Sequence, residues 1–363
     1  MIEYESLANS NRAFFDEIKE VLNQTVDSGW YILGNRVKEF ETQFAEYHHV
    51  PFAVGLNSGL DALMLALRSY DFPEGSEIIV PSNTYIATIL AIIQCGLKPV
   101  LVEPDITTYN IDPKLIATSL TENTRGIMVV HLYGKMCNMD PILELCKNHN
   151  LILIEDCAQS HGAKYNNKLS GTFGDYGAFS FYPTKNLGAL GDAGAVITSN
   201  PEYATKVKAL RNYGSHIKYH NEYLGYNSRL QEFQAAILSV KLKHLDEITL
   251  YKQRLAAEYQ KGLTIEGLVL PVVQQGYEDV FHIYAVRHPE RDRLKSYLLE
   301  NGIKTEIHYP VPPHHQNAMK GILDGQSFPL SEEIHKTVLS LPISFGTTLE
   351  EVQTVIQVIN RFQ

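Results

Sequence analysis

The chain is poor in cysteine and has no long uninterrupted apolar run. Its four cysteines show no Cys-x-x-Cys spacing, so the sequence indicates neither a zinc site nor a disulfide framework. The most apolar stretch, from Ala87 to Val102, is interrupted by Gln94, Gly96 and Lys98 and is too polar to span a bilayer. The N-terminal segment MIEYESLANSNR is acidic and polar, which argues against a secretory signal. We therefore expect a cytoplasmic protein without membrane contact.

The chain also lacks a surplus of positive charge. It contains 31 Lys and Arg against 41 Asp and Glu, which gives a net charge of −10. A broad nucleic-acid footprint requires a basic surface, so we do not expect nucleic acid as a partner. A small basic pocket for an anionic substrate is still compatible with this charge.

Several motifs that mark other enzyme classes are missing. GxxxxGK is absent, which argues against an ATP-binding P-loop, and GALGDAG lacks the GxGxxG spacing of a dinucleotide site. No GxSxG elbow occurs, although a Ser-His-Asp hydrolase is hard to exclude by counting residues. His308, His314 and His315 lie in the proline-rich IHYPVPPHHQ without a matching carboxylate spacing. We expect a loop with substrate contact there and no metal site.

What the chain does contain, from about residue 55, is an alternation of helix and strand patterns. Short apolar segments such as EIIV and LILIED are separated by amphipathic segments such as LDALMLAL. This order predicts a parallel sheet that is covered on both faces. Ligands of such sheets bind at the carboxyl ends of the strands, where Asp156 and His131 are expected.

The character of the chain changes near residue 240. An α+β pattern follows and ends in TLEEVQTVIQVI, a predicted helix with a capping box formed by Thr348 and Glu351. We predict a large domain over residues 1–240, with an N-terminal arm, and a small domain over residues 241–363.

Lys185 is the most informative residue. It follows an apolar stretch and is surrounded in sequence by Gly188, Gly191 and Gly194, which let the backbone approach a ligand closely. A lysine in this setting, with the acid Asp156 at the end of an earlier strand, suits a pyridoxal phosphate site. The alternative interpretation is a solvated surface amine on an α/β protein that has only a structural role.

A second signal lies in NSGLDAL, where Ser58 and Gly59 precede a predicted helix. Helix N-termini bind phosphate through unpaired backbone N–H groups. Ser and Asn before a helix are more often simple caps, so this signal gains weight only together with Lys185.

Eight segments, in order over nearly the whole chain, resemble the DegT-type sugar aminotransferases. They are SGWYILG, NSGLDAL, VPSNTYIAT, EDCAQSHGA, FSFYPTKNLGALGDAGAV, LRNYGS, GYNSRLQEFQAAIL and IHYPVPPHHQ. The strings TYNIDP and VHLYG are most similar to the subgroup that aminates dTDP-3-keto-6-deoxyhexoses. The resemblance implies the aspartate-aminotransferase-like α/β fold, with a large mostly parallel sheet and a smaller C-terminal α+β domain.

The resemblance also implies roles for individual residues. Lys185 would form the Schiff base with pyridoxal 5'-phosphate and then move the proton between substrate and cofactor carbons, and Asp156 would pair with the pyridine nitrogen. The remaining cofactor contacts would come from Tyr85, Gln159, Ser58, Gly59, Leu60, Ser180 and Asn227. Many relatives carry Thr where Leu60 stands, so the backbone alone would serve there. Candidate substrate contacts are Trp30, Tyr31, Lys218, Arg229, His308 and Tyr309.

Two of these assignments have plain structural alternatives. Tyr85 would stack on the cofactor ring, but without the resemblance it is equally a core aromatic at a helix start. Asn227 would reach the phosphate of a partner subunit, which makes the expected state a homodimer with shared active sites; the alternative is a turn Asn beside Gly225.

The implied reaction is amino transfer from L-glutamate to a nucleotide-linked keto sugar, at carbon three of a dTDP-linked 6-deoxyhexose. The nearest alternative is the same chemistry at carbon four of a UDP- or dTDP-sugar. A more distant alternative is a pyridoxal-phosphate-binding regulator without catalysis. Some relatives replace the lysine with histidine and act as dehydratases, whereas this chain keeps Lys185, which favours transamination.

Overall fold

The structure, a computed structural model, describes residues 1–363 and contains fourteen strands. In chain order they are β1 Phe52–Leu56, β2 Glu77–Pro81, β3 Lys98–Val102, β4 Thr124–Val130, β5 Ile152–Asp156, β6 Lys164–Tyr165, β7 Lys168–Leu169, β8 Tyr176–Ser180, β9 Gly194–Thr198, β10 Ser215–Ile217, β11 His220–Asn221, β12 Tyr277–Glu278, β13 Tyr284–Arg287 and β14 Val338–Leu341.

Thirteen α-helices surround and connect these strands. They are α1 Leu7–Asn11, α2 Phe15–Asp27, α3 Asn35–Tyr47, α4 Gly59–Arg68, α5 Ile86–Gln94, α6 Pro113–Thr118, α7 Met139–His149, α8 Pro201–Leu210, α9 Glu232–Leu242, α10 Leu245–Gly262, α11 Arg291–Glu300, α12 Pro329–Thr337 and α13 Leu349–Ile359. Single 3₁₀ turns cover Arg12–Phe14, Leu132–Gly134, Pro313–His315 and Asn317–Met319. None of the helices combines the length and the apolar character that a membrane crossing requires.

Seven strands form the central sheet, in the order β1-β9-β8-β5-β4-β2-β3. All of them run parallel except β9, which pairs antiparallel with both β1 and β8. Both faces of the sheet are covered, because Ile78 and Val80 of β2 enter one apolar cluster while Ile79 enters another. The predicted α/β fold with a large, mostly parallel sheet is confirmed.

The sheet topology brings several loops to one edge. The carboxyl ends of β1, β2, β4, β5 and β8 lie at the same edge because these strands share one direction. The segments that follow them begin at Asn57, Ser82, His131, Cys157 and Phe181. The topology therefore gathers NSGLDAL, SNTY, EDCAQ and the loop of Lys185 at one site.

The C-terminal part has its own apolar cluster, made by α10, α11, α13, β13 and β14. The N-terminal segment packs on it, since Ile2 pairs with Ile303 and its N–H donates to Gly302 O at 2.7 Å. The boundary predicted between residues 240 and 241 falls inside α9, and residues 243–244 separate α9 from α10. The division into two domains stays a prediction.

The predicted capping box of α13 is confirmed. Thr348 Oγ1 accepts from Glu351 N at 3.1 Å, and Glu351 Oε2 accepts from Thr348 N at 2.8 Å. Two of the backbone N–H groups at the helix start are thereby satisfied.

We predict that Thr348→Ala lowers the free energy of unfolding by about 1 kcal/mol, because the helix start loses its cap. Urea denaturation measures the change. The control is Thr354→Ala in the same helix, where the hydroxyl only donates back to Glu350 O and Ala has the higher helix propensity. Equal losses in the two variants would contradict the capping assignment.

Candidate active site

Lys185 lies in the loop between β8 and β9. Its N–H donates to Tyr182 O at 2.8 Å, and Ala189 N donates to Phe181 O at 2.8 Å, so the loop is closed by its own backbone. Burial lowers the pKa of Lys185 to about 8, against the opposing effect of the Asp156 and Glu5 carboxylates. The amine is half-buried, and near neutral pH a fraction of it is unprotonated and able to accept a proton.

Asp156 ends β5 and is buried. Its Oδ2 accepts from Thr88 Oγ1 at 2.8 Å and its Oδ1 accepts from Ala158 N at 3.1 Å. Burial raises the pKa of Asp156, while the hydrogen bonds from Thr88 and Ala158 and the charge of Lys185 oppose the rise. Asp156 and Lys185 each act on the pKa of the other without a direct ion pair between them, so a gap separates the two groups.

Thr88, which donates to Asp156, was not predicted from the sequence. It lies in the first turn of α5, and its hydroxyl also lies 2.9 Å from Thr84 Oγ1. The available signal was its spacing, three residues after Tyr85, which returns its side chain to the end of the helix that faces the site.

Gln159 and two aromatic rings lie next to Asp156. Gln159 Oε1 accepts from Tyr133 N at 2.6 Å, and its Nε2 donates to Tyr309 Oη at 2.9 Å. The rings of Tyr309 and Tyr85 have centroids 5.2 Å apart. The side chain of Tyr85 is 54% exposed, so the interpretation of Tyr85 as a core aromatic is wrong. Its ring is free to cover a planar ligand.

The start of α4 abuts the end of β8. A Cβ added to Gly59 would lie 2.5 Å from Ser180 Cβ and 3.2 Å from Ser180 Oγ, so only glycine permits this approach. Ser58 Oγ caps the helix by accepting from Asp61 N at 3.1 Å. The N–H groups of Gly59 and Leu60 and the hydroxyl of Ser180 are left at one place, which suits a phosphate.

Comparison with known proteins identifies the family. Residues 14–360 match the DegT/DnrJ/EryC1/StrS aminotransferase family. The chain belongs to this family. Over 362 residues, 100% of this chain and 99% of the relative, it is 50% identical to dTDP-3-amino-3,6-dideoxy-alpha-D-galactopyranose transaminase of Aneurinibacillus thermoaerophilus.

Two further similarities support this membership. The chain is 45% identical to dTDP-3-amino-3,4,6-trideoxy-alpha-D-glucose transaminase of Streptomyces venezuelae, over 95% of this chain and 92% of the relative. The crystal structure of S. venezuelae DesV in complex with a ketimine intermediate superposes with a TM-score of 0.96 at 43% identity, covering 98% of this chain and 96% of that one. The aminotransferase fold and family are therefore established for this chain.

His308 is the one predicted substrate residue, besides Tyr309, that the fold brings near Lys185. Its Nδ1 lies 2.9 Å from Ser340 Oγ, and its backbone carbonyl accepts from Tyr133 Oη. Burial, together with the positive charges of Lys185 and Lys295, lowers the pKa of His308 to about 4. The imidazole is therefore neutral at physiological pH.

The other predicted substrate residues lie on the periphery of this single aminotransferase chain. Trp30 is 63% exposed, and the ring of Tyr31 stacks on Phe233 at 5.6 Å. Lys218 lies between β10 and β11 and is exposed, while Arg229 Nη1 donates to Asn212 Oδ1 at 3.3 Å. Asn227 is exposed and pairs with Asn212 through the backbone. The contacts of these residues within one chain are local.

Two groups of potential metal ligands occur, and each is held by protein contacts. The group of His131, Glu155 and Cys157 is buried; His131 Nδ1 accepts from Cys137 N at 3.1 Å, so its Nε2 donates to Glu155 Oε2 at 2.9 Å. In the second group, His314, His315 and Glu332, the Glu332 Oε1 atom also accepts from Phe328 N at 3.0 Å. This carboxylate near His314 was not foreseen from sequence spacing. These contacts explain both groups without an ion.

We predict that Thr88→Val destabilises the protein by about 1–3 kcal/mol. Val has nearly the same shape as Thr but no hydroxyl, so the buried Asp156 carboxylate loses one hydrogen-bond donor. Thr88→Ser keeps the hydroxyl and serves as the matched control, with a smaller loss from one missing methyl group. Urea denaturation of both variants gives the comparison. If Val is tolerated as well as Ser, Thr88 does not support Asp156.

Proposed function

We propose that this aminotransferase uses pyridoxal 5'-phosphate and moves the amino group of L-glutamate to a dTDP-linked 3-keto-6-deoxyhexose. The observation that carries the proposal is the pair of Lys185 and Asp156, which lie at and after the carboxyl ends of neighbouring strands and change each other's pKa without forming an ion pair. Near this pair lie the N–H groups of Gly59 and Leu60 and the hydroxyl of Ser180, called the anion cradle, and the rings of Tyr85 and Tyr309. The substrate assignment is supported by the 50% and 45% identities to the two dTDP-amino-sugar transaminases.

The residues present fit the cofactor at each of its groups. Lys185 would hold its aldehyde carbon, Asp156 its ring nitrogen, and Tyr85 would cover the ring face. The N–H groups of Gly59 and Leu60 with the Ser180 hydroxyl would hold its phosphate, in the cradle that a Cβ at position 59 would fill. When bound, the cofactor supplies an aldehyde that accepts amines and a ring that withdraws electrons.

Lys185 would act as the base that moves the proton. Its amine must be unprotonated to accept a proton, and a solvated lysine with a pKa near 10.4 rarely is at neutral pH. The burial that lowers its pKa to about 8 removes most of this cost. The structure thus accounts for the depressed pKa by desolvation, with the nearby carboxylates opposing it.

Asp156 would keep a proton on the ring nitrogen. Its carboxylate is held by Thr88 and Ala158, and each oxygen keeps a lone pair that could accept the proton donor of the ring. Gln159 and Tyr309 close the side of the gap by hydrogen-bonding each other at 2.9 Å. This bond fixes the two side chains relative to each other.

The amino acceptor would bind above the exposed face of Tyr85. Tyr309, which lies beside Gln159 and Tyr85, and the neutral His308, whose pKa is affected by Lys185, suit hydroxyl groups of a sugar. Trp30, Tyr31, Lys218 and Arg229 lie further out, where the nucleotide would extend; two of them are cations that suit its phosphates. A single contact can distinguish two sugars that differ by one methylene or hydroxyl group. A few residues therefore determine which configuration at carbon four the enzyme accepts.

We infer that the working form is a homodimer with shared active sites. Asn227 is exposed, its backbone pairs with Asn212 and its side chain makes no hydrogen bond within the chain, so this side chain is available to a second copy. A partner residue at the phosphate would explain why the cradle of one chain offers only backbone N–H groups and one hydroxyl.

The substrate assignment is tested by a coupled assay that follows 2-oxoglutarate formation from L-glutamate with each of the two carbon-four epimers of dTDP-3-keto-6-deoxyhexose and, in parallel, with 4-keto-6-deoxyhexoses linked to dTDP or UDP. We expect turnover with at least one epimer and an amino group on carbon three, read by NMR. Product formed only from 4-keto sugars, with the amine on carbon four, would replace the proposal by the alternative aminotransferase.

We predict that Lys185→Ala lowers turnover in this assay by about 10³-fold or more, because proton transfer loses its base. Lys168→Ala, which removes an exposed lysine of β7, is the control and should keep full turnover. A Lys185→Ala enzyme that still transfers amine at the normal rate would contradict the assignment of Lys185 as the base.

Shared sites predict complementation between two inactive variants. Mixing Lys185→Ala with Asn227→Asp after dissociation and reassociation should restore about a quarter of full activity, since half of the dimers are mixed and each has one intact site. In Asn227→Asp the new carboxylate repels the phosphate. If the mixture stays as inactive as its components, Asn227 does not act across the interface.

A further inference from the structure

A small polar cavity lies beside Lys185, on the side formed by the N-terminal segment, α9 and α10. Its volume is about 30 Å³. The polar side chains that line it include Glu5, Ser10, Asn11, Lys185, Lys241 and Lys252. Three of these six are lysines and one is a carboxylate, so the cavity walls carry an excess of positive charge.

Two of the lysines hold the loop that carries Lys185. Lys241 Nζ donates to Gly188 O at 2.7 Å, and Lys252 Nζ donates to Asn186 Oδ1 at 2.8 Å. Both lysines are buried, each at 4% exposure. The bonds attach the loop to α9 on one side and to α10 on the other.

Glu5 supplies the negative charge that these amines share. Burial lowers the pKa of Lys185, Lys241 and Lys252 to about 8 each, and the Glu5 carboxylate opposes the lowering in all three. Burial raises the pKa of Glu5, and the same three lysines oppose that rise. The N-terminal segment thus places one carboxylate, that of Glu5, near three amines.

The contact between Glu5 and the amines is indirect. No ion pair joins Glu5 to any of the three lysines, and the buried atoms Ser10 Oγ and Asn11 Oδ1 have no protein partner. A polar cavity of about 10–15 Å³ already holds a water molecule. The cavity is therefore large enough for water that joins the carboxylate, the two unpartnered groups and the amines.

Glu5 also lines a second, larger groove of about 380 Å³, together with Thr184, His282 and His308. It thus stands between that groove and the small cavity. The segment that carries it is fixed on the C-terminal part by the backbone bonds of Ile2, so Glu5 has a defined position.

We propose that Glu5 is a positioning residue for the reaction: through water in this cavity its carboxylate stabilises the charged form of Lys185 and the loop that Lys241 and Lys252 hold. The proposal rests on the proposed function in one respect, that Lys185 is the amine that binds the cofactor. A purely structural role would neutralise Lys241 and Lys252 without any effect on Lys185.

The test is a pH titration of the visible absorbance band of the purified, cofactor-loaded protein. The other titratable or charged groups that face Lys185 are Asp156, His161, His282, His308, Lys241 and Lys252. All of them are unchanged in Glu5→Gln, which removes the charge and keeps the shape. The group whose titration is followed is the nitrogen of Lys185. In Glu5→Gln we expect the midpoint of this titration to fall by about one pH unit, because the positively charged form of the nitrogen loses a nearby negative charge.

Glu3→Gln is the matched control, since Glu3 lies in the same segment but is exposed and pairs with Lys304 at 2.9 Å. The titration of Glu3→Gln should coincide with that of the wild type. Glu5→Asp keeps the negative charge, so its midpoint should lie close to that of the wild type. If Glu5→Gln does not fold, as judged by circular dichroism, Ser10→Val takes its place: it displaces the cavity water and should shift the midpoint in the same direction.

The outcomes separate this proposal from the proposed function. A wild-type band that titrates while Glu5→Gln, or Ser10→Val in its place, titrates at the same pH overturns the role of Glu5 and leaves the aminotransferase assignment intact. A wild-type protein without any visible band after incubation with pyridoxal phosphate overturns the proposed function instead.

Discussion

The structure depends on keeping an amine and a carboxylate apart in a buried place. Lys185 and Asp156 face each other without forming an ion pair, although each changes the pKa of the other. Left unconstrained, two opposite charges in a low-dielectric site would close on each other. Here the hydrogen bonds of Thr88 and Ala158 hold the carboxylate, and the closed turn holds the amine. We propose that the flat ring of the cofactor lies between these two groups.

The sheet topology provides this separation. Asp156 ends a parallel strand, whereas Lys185 lies in the connection from β8 to β9, the only strand of the central sheet that runs antiparallel to its neighbours. Because β1 runs in the same direction as β8, Gly59 after β1 lies beside Ser180 at the end of β8. The missing side chain of this glycine leaves room for an anion. Amine, carboxylate and anion cradle thus come from three strands of one edge, which is where parallel sheets bind their ligands.

The sequence predicted the parts of the site that depend on local pattern. Apolar runs separated by amphipathic helices predicted the sheet, and Lys185 and Asp156 were identified by their places after such runs; their roles stay predictions. The support from Thr88 and the carboxylate of Glu5 were not predicted, because both depend on contacts between segments far apart in the chain. Tyr85 was left between core and surface by its sequence, and only packing showed that its ring is exposed.

The central claim is that the amine of Lys185, facing Asp156, carries the cofactor. Reduction of the loaded protein with borohydride, followed by proteolysis and mass spectrometry, tests it directly, because reduction makes the lysine linkage permanent. The account predicts a pyridoxyl phosphate group on the peptide that contains Lys185 and on no other lysine peptide. A group found on another lysine, or an unmodified Lys185 in protein that has bound the cofactor, would contradict it.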